Sequence, residues 1–278
     1  MKQYLWTLDS GRLQYQSSYQ NSNLNWIFLP GGPGLGSESL IDLTQLLKNK
    51  IPGVLWHFDL PNDGSNILTN KPISNWRSTI IQAATAFENV ILVAHSSSGM
   101  HLQTIPELEN ILHGLVLIGS APDASWQKKF DEYCKKNTTA EMRKAEKKYI
   151  ENPNNDSLRK LLISSAKNCF VTEESLQNGK ELFAKIPINH KASEIYSKAF
   201  DSEKYKATWI PQDINTLIMS GSKDYITPLN LFKDNKIYQR KNILIKEILG
   251  AGHYPWFENP SEIVQAFMDF LSKLDYAM

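Results

Sequence analysis

Three residues whose types together can transfer an acyl group stand far apart in the 278-residue chain: Ser96, Asp224 and His253. A serine hydroxyl is a weak nucleophile until a base takes its proton. Histidine suits that task near neutral pH, and a carboxylate behind it fixes the imidazole tautomer and compensates its charge. Ser96 lies in Val93-Ala94-His95-Ser96-Ser97-Ser98-Gly99, between an apolar run and a helical pattern. A sharp strand-to-helix turn that lifts a serine out of a sheet needs small residues two before and two after it. Ala94 and Ser98 meet that need for Ser96. A frame centred on Ser97 would put bulky His95 at one of those positions. A plain serine-rich helix start is the alternative for this segment.

The chemistry also needs backbone N–H groups aimed at the developing oxyanion. Leu29-Pro30-Gly31-Gly32-Pro33-Gly34-Leu35-Gly36 follows a short β-type run, and its glycines let the main chain come close to a reacting atom. The N–H groups of Gly32 and Ser97 are the candidate oxyanion donors. A dinucleotide loop fits poorly, because G-x-G-x-x-G is not matched and Pro33 removes a donor that phosphates would use. Asp224 follows the run Leu217–Met219 by a short turn, and capping the next helix is its alternative role. Asp123 is the fallback acid. His253 sits in Gly250-Ala251-Gly252-His253-Tyr254-Pro255-Trp256, after Asp224 in chain order. Tyr254, Trp256 and Trp126 are candidates for an apolar substrate pocket, with interior packing as the alternative.

The elements that must position these residues alternate. Trp26–Leu29, Val54–Phe58, Val90–Ala94, Leu115–Ile118, Leu217–Met219 and Ile243–Ile248 read as strands, and their continuous apolar character fits strands buried on both faces. Helical patterns at Ser39–Leu47 and at Trp76–Phe87, with Ser74 as N-cap, lie between them. Strands alternating with helices predict a parallel sheet with crossover helices. From Asp123 to Lys206 the strand rhythm stops. Amphipathic patterns replace it: Trp126, Phe130, Tyr133 and Cys134 share one face, and Ala192, Ile195, Tyr196, Ala199 and Phe200 another. Asp156 is the expected N-cap of a helix there, and Asn259-Pro260-Ser261-Glu262 opens the last helix. A helical insertion within an alternating core follows.

Composition narrows the classes. Thirty Lys and Arg against 29 Asp and Glu give a net charge of +1, which argues against nucleic-acid binding through bulk charge. No run approaches the roughly 18 apolar residues of a membrane helix. Met1–Leu13 carries no apolar export segment, and the two cysteines, Cys134 and Cys169, form no C-x-x-C spacing. A cytoplasmic protein with no cofactor and no metal is the expectation, with a small-molecule acyl compound as its partner.

With these motifs in the order Ser, Asp, His, the chain resembles the α/β-hydrolase superfamily over nearly all its length. Asp59-Leu60-Pro61-Asn62-Asp63-Gly64-Ser65 is similar to that family's D-x-P-G-x-G-x-S loop, with Asn62 for its first glycine. The resemblance implies an α/β-hydrolase fold: a mostly parallel sheet flanked by helices, with a core of residues 1–122 and 207–278. Residues 123–206 would form a helical cap over the site. It makes Ser96 the nucleophile, Asp224 the acid and His253 the base. Two departures stand out. The family's histidine before the oxyanion glycines is Pro30 here, and the turn's usual glycines are Ala94 and Ser98. Gly31-Gly32-Pro33-Gly34 is similar to the H-G-G-P-G loop of prolyl iminopeptidases, but their G-G-S-W-G turn is not matched. Nothing marks the insertion's acids, such as Glu173 and Glu174, as an amine trap. An ester or thioester hydrolase ranks first. An aminopeptidase, or a non-hydrolytic lyase or binding protein on the same scaffold, is the alternative.

Overall fold

The continuous apolar runs become inner strands in the computed structural model, which describes residues 3–32, 34–67, 75–200 and 204–274. The expected cap Ser74 lies outside the described residues, as do Pro33 and the side chains of Tyr196, Ala199 and Phe200. Eight strands form one sheet: β1 (Tyr4–Trp6), β2 (Arg12–Tyr19), β3 (Asn25–Leu29), β4 (Gly53–Asp59), β5 (Val90–His95), β6 (Gly114–Ile118), β7 (Asn215–Gly221) and β8 (Ile243–Ile248). Their order across the sheet is β1-β2-β4-β3-β5-β6-β7-β8. β1 and β2 are antiparallel, and every pairing from β4 to β8 is parallel.

Alternate residues of the inner strands enter opposite cores. Trp26, Phe28, Ile91, Val93 and Val116 pack on one face with Leu43 and Leu47 of α1 (Ile41–Leu47) and Phe267 and Phe270 of α10 (Pro260–Leu271). Ile27, Leu29, Leu92, Leu115 and Leu117 pack on the other with Ile80 and Ala83 of α2 (Trp76–Ala84). Each fully buried large apolar side chain stabilises by about 1.5–3 kcal/mol. Trp26 also satisfies its indole N–H, which donates to Pro52 O at 2.8 Å.

Local chemistry moves some expected boundaries. α2 stops at Ala84, short of Phe87, where the backbone of its C-cap Thr85 leaves the helical region at φ −99° and ψ 1°. The helix expected after Asp224 is only the short α9 (Asn230–Lys233). α10 does start at Pro260 under an Asn259 cap that accepts from Glu262 N at 3.3 Å.

Between β6 and β7 run α4 (Ser125–Asn137), α5 (Ala140–Glu151), α6 (Asn155–Ser165), α7 (Glu173–Lys185) and α8 (His190–Phe200). The N-cap of α6 is Asn154, not Asp156. Asn154 has the extended backbone a cap needs and exchanges bonds with Ser157, while Asp156 already lies in the first turn. The two ends of the segment meet at a bridge between Asp123 and Lys206, beside Ala207 N donating to Pro122 O at 2.7 Å. Leu158, Ala166, Phe170, Phe183 and Ile186 of the segment belong to the same buried cluster as Trp26 and Phe28.

Candidate active site

Four parallel strands deliver the candidate residues at their carboxyl ends, where open α/β sheets form crevices. The glycine loop follows β3, Ser96 follows β5, Asp224 follows β7 and His253 follows β8. Ser96 adopts φ 54° and ψ −123°, a backbone that few side chains accept. Its N–H donates to Ile118 O at 2.8 Å, and α3 (Ser97–Leu102) starts at the next residue. The strained turn raises the hydroxyl above the strand end.

The three residues meet there. Ser96 Oγ is 3.0 Å from His253 Nε2, and His253 Nδ1 is 2.9 Å from Asp224 Oδ2. Asp224 is an acceptor, so Nδ1 carries the proton and Nε2 is free to accept from the serine. The carboxylate has further donors. Ser220 Oγ and Thr227 Oγ1 donate to Oδ2 at 2.8 and 3.1 Å, and the Ile226 and Thr227 amides donate to Oδ1 at 2.9 and 3.0 Å. Burial alone would push the Asp224 carboxyl up, but the charge and hydrogen bond of His253, with Thr227 and Ser220, hold it below its ordinary value. Asp224 therefore both caps the following turn and backs His253. Asp123, the fallback, accepts from Ser125 N at 2.9 Å and takes no part in this chain.

Gly31 brings the glycine loop against the turn. A Cβ there would lie 2.5 Å from Ser96 Cβ and 2.7 Å from His95 O. Gly32, at φ +77°, and Ser97, at the first position of α3, line one cavity with Ser96 and His253. A first-turn N–H such as that of Ser97 has no helical acceptor. The Pro30 carbonyl, at the head of the glycine loop, accepts from the Ser98 hydroxyl. Ser98 thus ties the glycine loop to the turn.

The cavity has a volume of about 300 Å³, at the small end for ligand sites. Its wall is apolar, with Leu35, Met100, Phe130, Leu158 and Phe183 among its residues, and Trp126 and Tyr254 also line it. Trp256 does not. It packs against His95 and Tyr254 with ring centroids 5.1 and 5.2 Å apart and is 4% exposed, so it is interior filling. Among the described residues, no Asp, Glu, Lys or Arg lines this cavity. Glu173 and Glu174 are exposed in the first turn of α7. A more open groove of about 600 Å³, lined by Glu38, Asp42, Glu181 and Lys185 among others, contains none of the three candidate residues.

Several supports were not visible in the sequence. His95 is buried, its ring centroid 4.8 Å from that of His253, and its Nε2 is 3.0 Å from His253 O. Burial lowers its pKa to about 3, so a neutral ring donates Nε2–H to that carbonyl. Cys169 O, from the helical segment, accepts His253 N–H at 2.8 Å. Glu258 accepts from Gly252 N at 2.6 Å and, from the helical segment between β6 and β7, from Ser175 Oγ at 2.6 Å, Thr172 N at 3.2 Å and Val171 N. On the other side, Asn189 N donates to Gly34 O at 2.9 Å, and Leu35 bridges to Ile188. Apart from Gly252 and Glu258, these contacts join residues far apart in the chain and leave no local pattern.

Among the described residues, no group of three or more His, Cys, Asp or Glu is arranged to hold a metal ion, and no helix is long and apolar enough to cross a membrane. No known family model matches the chain, and no curated protein does. Solved structures do match it over nearly its whole length. An α/β fold family hydrolase of Bacillus anthracis str. Sterne superposes with a TM-score of 0.73 at 14% identity, covering 97% of this chain and 99% of that one. A proline iminopeptidase-related protein of Thermus thermophilus gives 0.71 at 16% identity, covering 99% and 98%. An epoxide hydrolase of Bacillus megaterium, seen with its product, gives 0.66 at 19% identity, covering 98% and 100%. The chain has the α/β-hydrolase fold. At these identities the likeness carries the fold alone.

Proposed function

We propose that the protein is a serine hydrolase that cleaves a small, neutral acyl ester or thioester through an acyl-enzyme. The observation that carries this reading is the unbroken line from Ser96 Oγ to His253 (3.0 Å) to Asp224 (2.9 Å) at the rim of an apolar cavity. His253 Nε2 takes the Ser96 proton as Oγ attacks the acyl carbonyl carbon. The Gly32 and Ser97 N–H groups hold the resulting oxyanion. As the carbonyl reforms, the alcohol or thiol leaves with the proton from His253. Water then attacks the acyl-enzyme, giving its proton to His253, and the acid leaves as Ser96 regains its hydroxyl. Asp224 stays ionised and compensates the imidazolium. Residues 123–206 act as a helical cap over a core of residues 1–122 and 207–278.

An aminopeptidase of the iminopeptidase type is the weaker reading. A free substrate amine needs a nearby acid, and the described lining offers none. A binding protein on this scaffold would have no need of the proton line. Labelling with a fluorophosphonate, together with turnover of short chromogenic esters, tests the proposal. Wild-type protein is expected to label at Ser96, and Ser96→Ala to lose about 10⁴-fold or more in turnover while keeping its melting temperature. A folded wild type that neither labels nor turns over, or a Ser96→Ala variant with undiminished turnover, refutes it.

A further inference from the structure

Among the polar groups of the cavity wall is a carboxamide that an all-hydrocarbon acyl chain would leave unused. Asn168, in the turn between α6 and α7, lines the cavity and is 6% exposed. Its Oδ1 is buried with no hydrogen-bond partner, and its amide nitrogen makes no side-chain hydrogen bond among the described residues. Buried carboxamide oxygens are ordinarily paired, because leaving one unmatched forfeits its hydration. Trp126, on the same cavity, has an indole N–H that is also buried and unpaired. The rest of the wall sets Leu, Phe, Ile and Met side chains beside the hydroxyls of Ser165, Ser193 and Ser197, and none of these is a hydrogen-bond partner of Asn168. Pure packing does not account for Asn168, since leucine has nearly its shape and no polar atoms to bury.

We infer that Asn168 is a specificity-determining residue, and that the acyl group it selects carries a neutral hydrogen-bonding substituent, a hydroxyl or an amide, rather than a plain alkyl chain. This rests on the acyl-hydrolase reading above. A carboxamide both donates and accepts, so it pairs with a group that does the same. Trp126, another residue of the wall, has an unpaired donor of its own in Nε1. The absence of charged side chains from the described lining excludes an ionised substituent, whose desolvation nothing there would offset. A site built around a hydrogen bond rejects analogues that lack the group, because its own polar atoms are then left bare.

The test compares p-nitrophenyl hexanoate with the series of its monohydroxylated and amide-bearing isomers, on wild type and on Asn168→Leu. The parallel measurement is calorimetric binding of the corresponding non-ester amides to Ser96→Ala. Wild type is expected to prefer at least one substituted ester by roughly ten- to a hundredfold in kcat/KM. Asn168→Leu should lose that preference and melt no lower than wild type, since an unpaired polar group has been replaced by an apolar one. A purely structural asparagine would instead lower the melting temperature and leave the preference intact. Turnover of hexanoate without any substituent preference overturns the Asn168 inference and spares the hydrolase reading. Absence of all turnover overturns the hydrolase reading, and the Ser96→Ala binding series then decides Asn168 alone: equal binding of substituted and plain amides rejects it.

Discussion

Replacing Gly31 with alanine probes how closely the glycine loop is seated on the serine turn. The added Cβ would meet Ser96 Cβ at 2.5 Å and His95 O at 2.7 Å, where ordinary contact starts near 3.4 Å. Neither partner can rotate away, because one is the root of the Ser96 side chain and the other is backbone paired into the sheet. The loop and the turn must therefore part by about 1 Å. A shift of that size takes the Ser96–His253 contact of 3.0 Å out of hydrogen-bond range, or carries the Gly32 N–H off the oxyanion. Misplacement on this scale costs on the order of 100-fold in rate, or about 2.7 kcal/mol in the barrier. The assay is kcat/KM on a chromogenic ester, alongside a thermal melt. Gly250→Ala is the control: nothing lies within 4 Å of its Cβ, so it loses only the freedom of its φ of +75°. It should be less stable by about 1–2 kcal/mol with near-normal kcat/KM. A folded Gly31→Ala variant within threefold of wild type would show that the loop does not set the reacting geometry.

Two further outcomes follow from buried groups. Burial lowers the pKa of His57, His95 and His101 from 6.5 to about 3, so the folded chain refuses protons that the unfolded chain accepts. Their contribution to stability is complete above pH 6.5 and is lost as the pH falls toward 3, at about 1.4 kcal/mol per pH unit for each ring. Asp59 and Asp63, which burial pushes up, act in the opposite sense. His57→Phe isolates one ring, since Thr44 keeps its bonds to the Leu40 and Ile41 carbonyls. Urea melts between pH 6 and 4 should show its stability falling less steeply than that of wild type by about that slope, and equal slopes would refute the assignment. Glu258→Gln turns one acceptor end of the Glu258 bridge into a donor facing N–H groups. A loss of about 1–3 kcal/mol in urea melts is expected, with a fall in kcat/KM because Gly252 precedes His253. Wild-type behaviour on both measures would make the bridge incidental.

The inner sheet was legible because strands buried on both faces need unbroken apolar runs, and Val90–His95 and Gly114–Ile118 have them. β1 and β2 were not. They sit at the edge, Leu13 is the one buried residue of β2, and a bulge between Tyr15 and Ser17 breaks its alternation. Ser96, Asp224 and His253 could be read because each follows a strand in a fixed order. His95 could not, since its value lies in a carbonyl 158 positions away. Trp126 and Trp256 look alike in sequence, and only packing separates the cavity wall from the interior. Pairing with the helical segment, as at Glu258 and Asn189, is likewise a property of tertiary approach.

The buried cluster shared by Leu158, Phe170 and Phe183 with Trp26 and Phe28 bears on how the molecule comes apart. The inserted helices have no interior of their own: α4 has no buried residue, and α5 only Met142. Cut out, they would present their apolar faces to water with nothing to oppose them. They are therefore expected to melt with the sheet in one transition, seen alike by circular dichroism and tryptophan fluorescence, although the chain leaves the sheet and returns to it. A compound seated in the cavity touches both the inserted helices and the rest of the chain, so its binding energy is felt as resistance of the whole chain to unfolding.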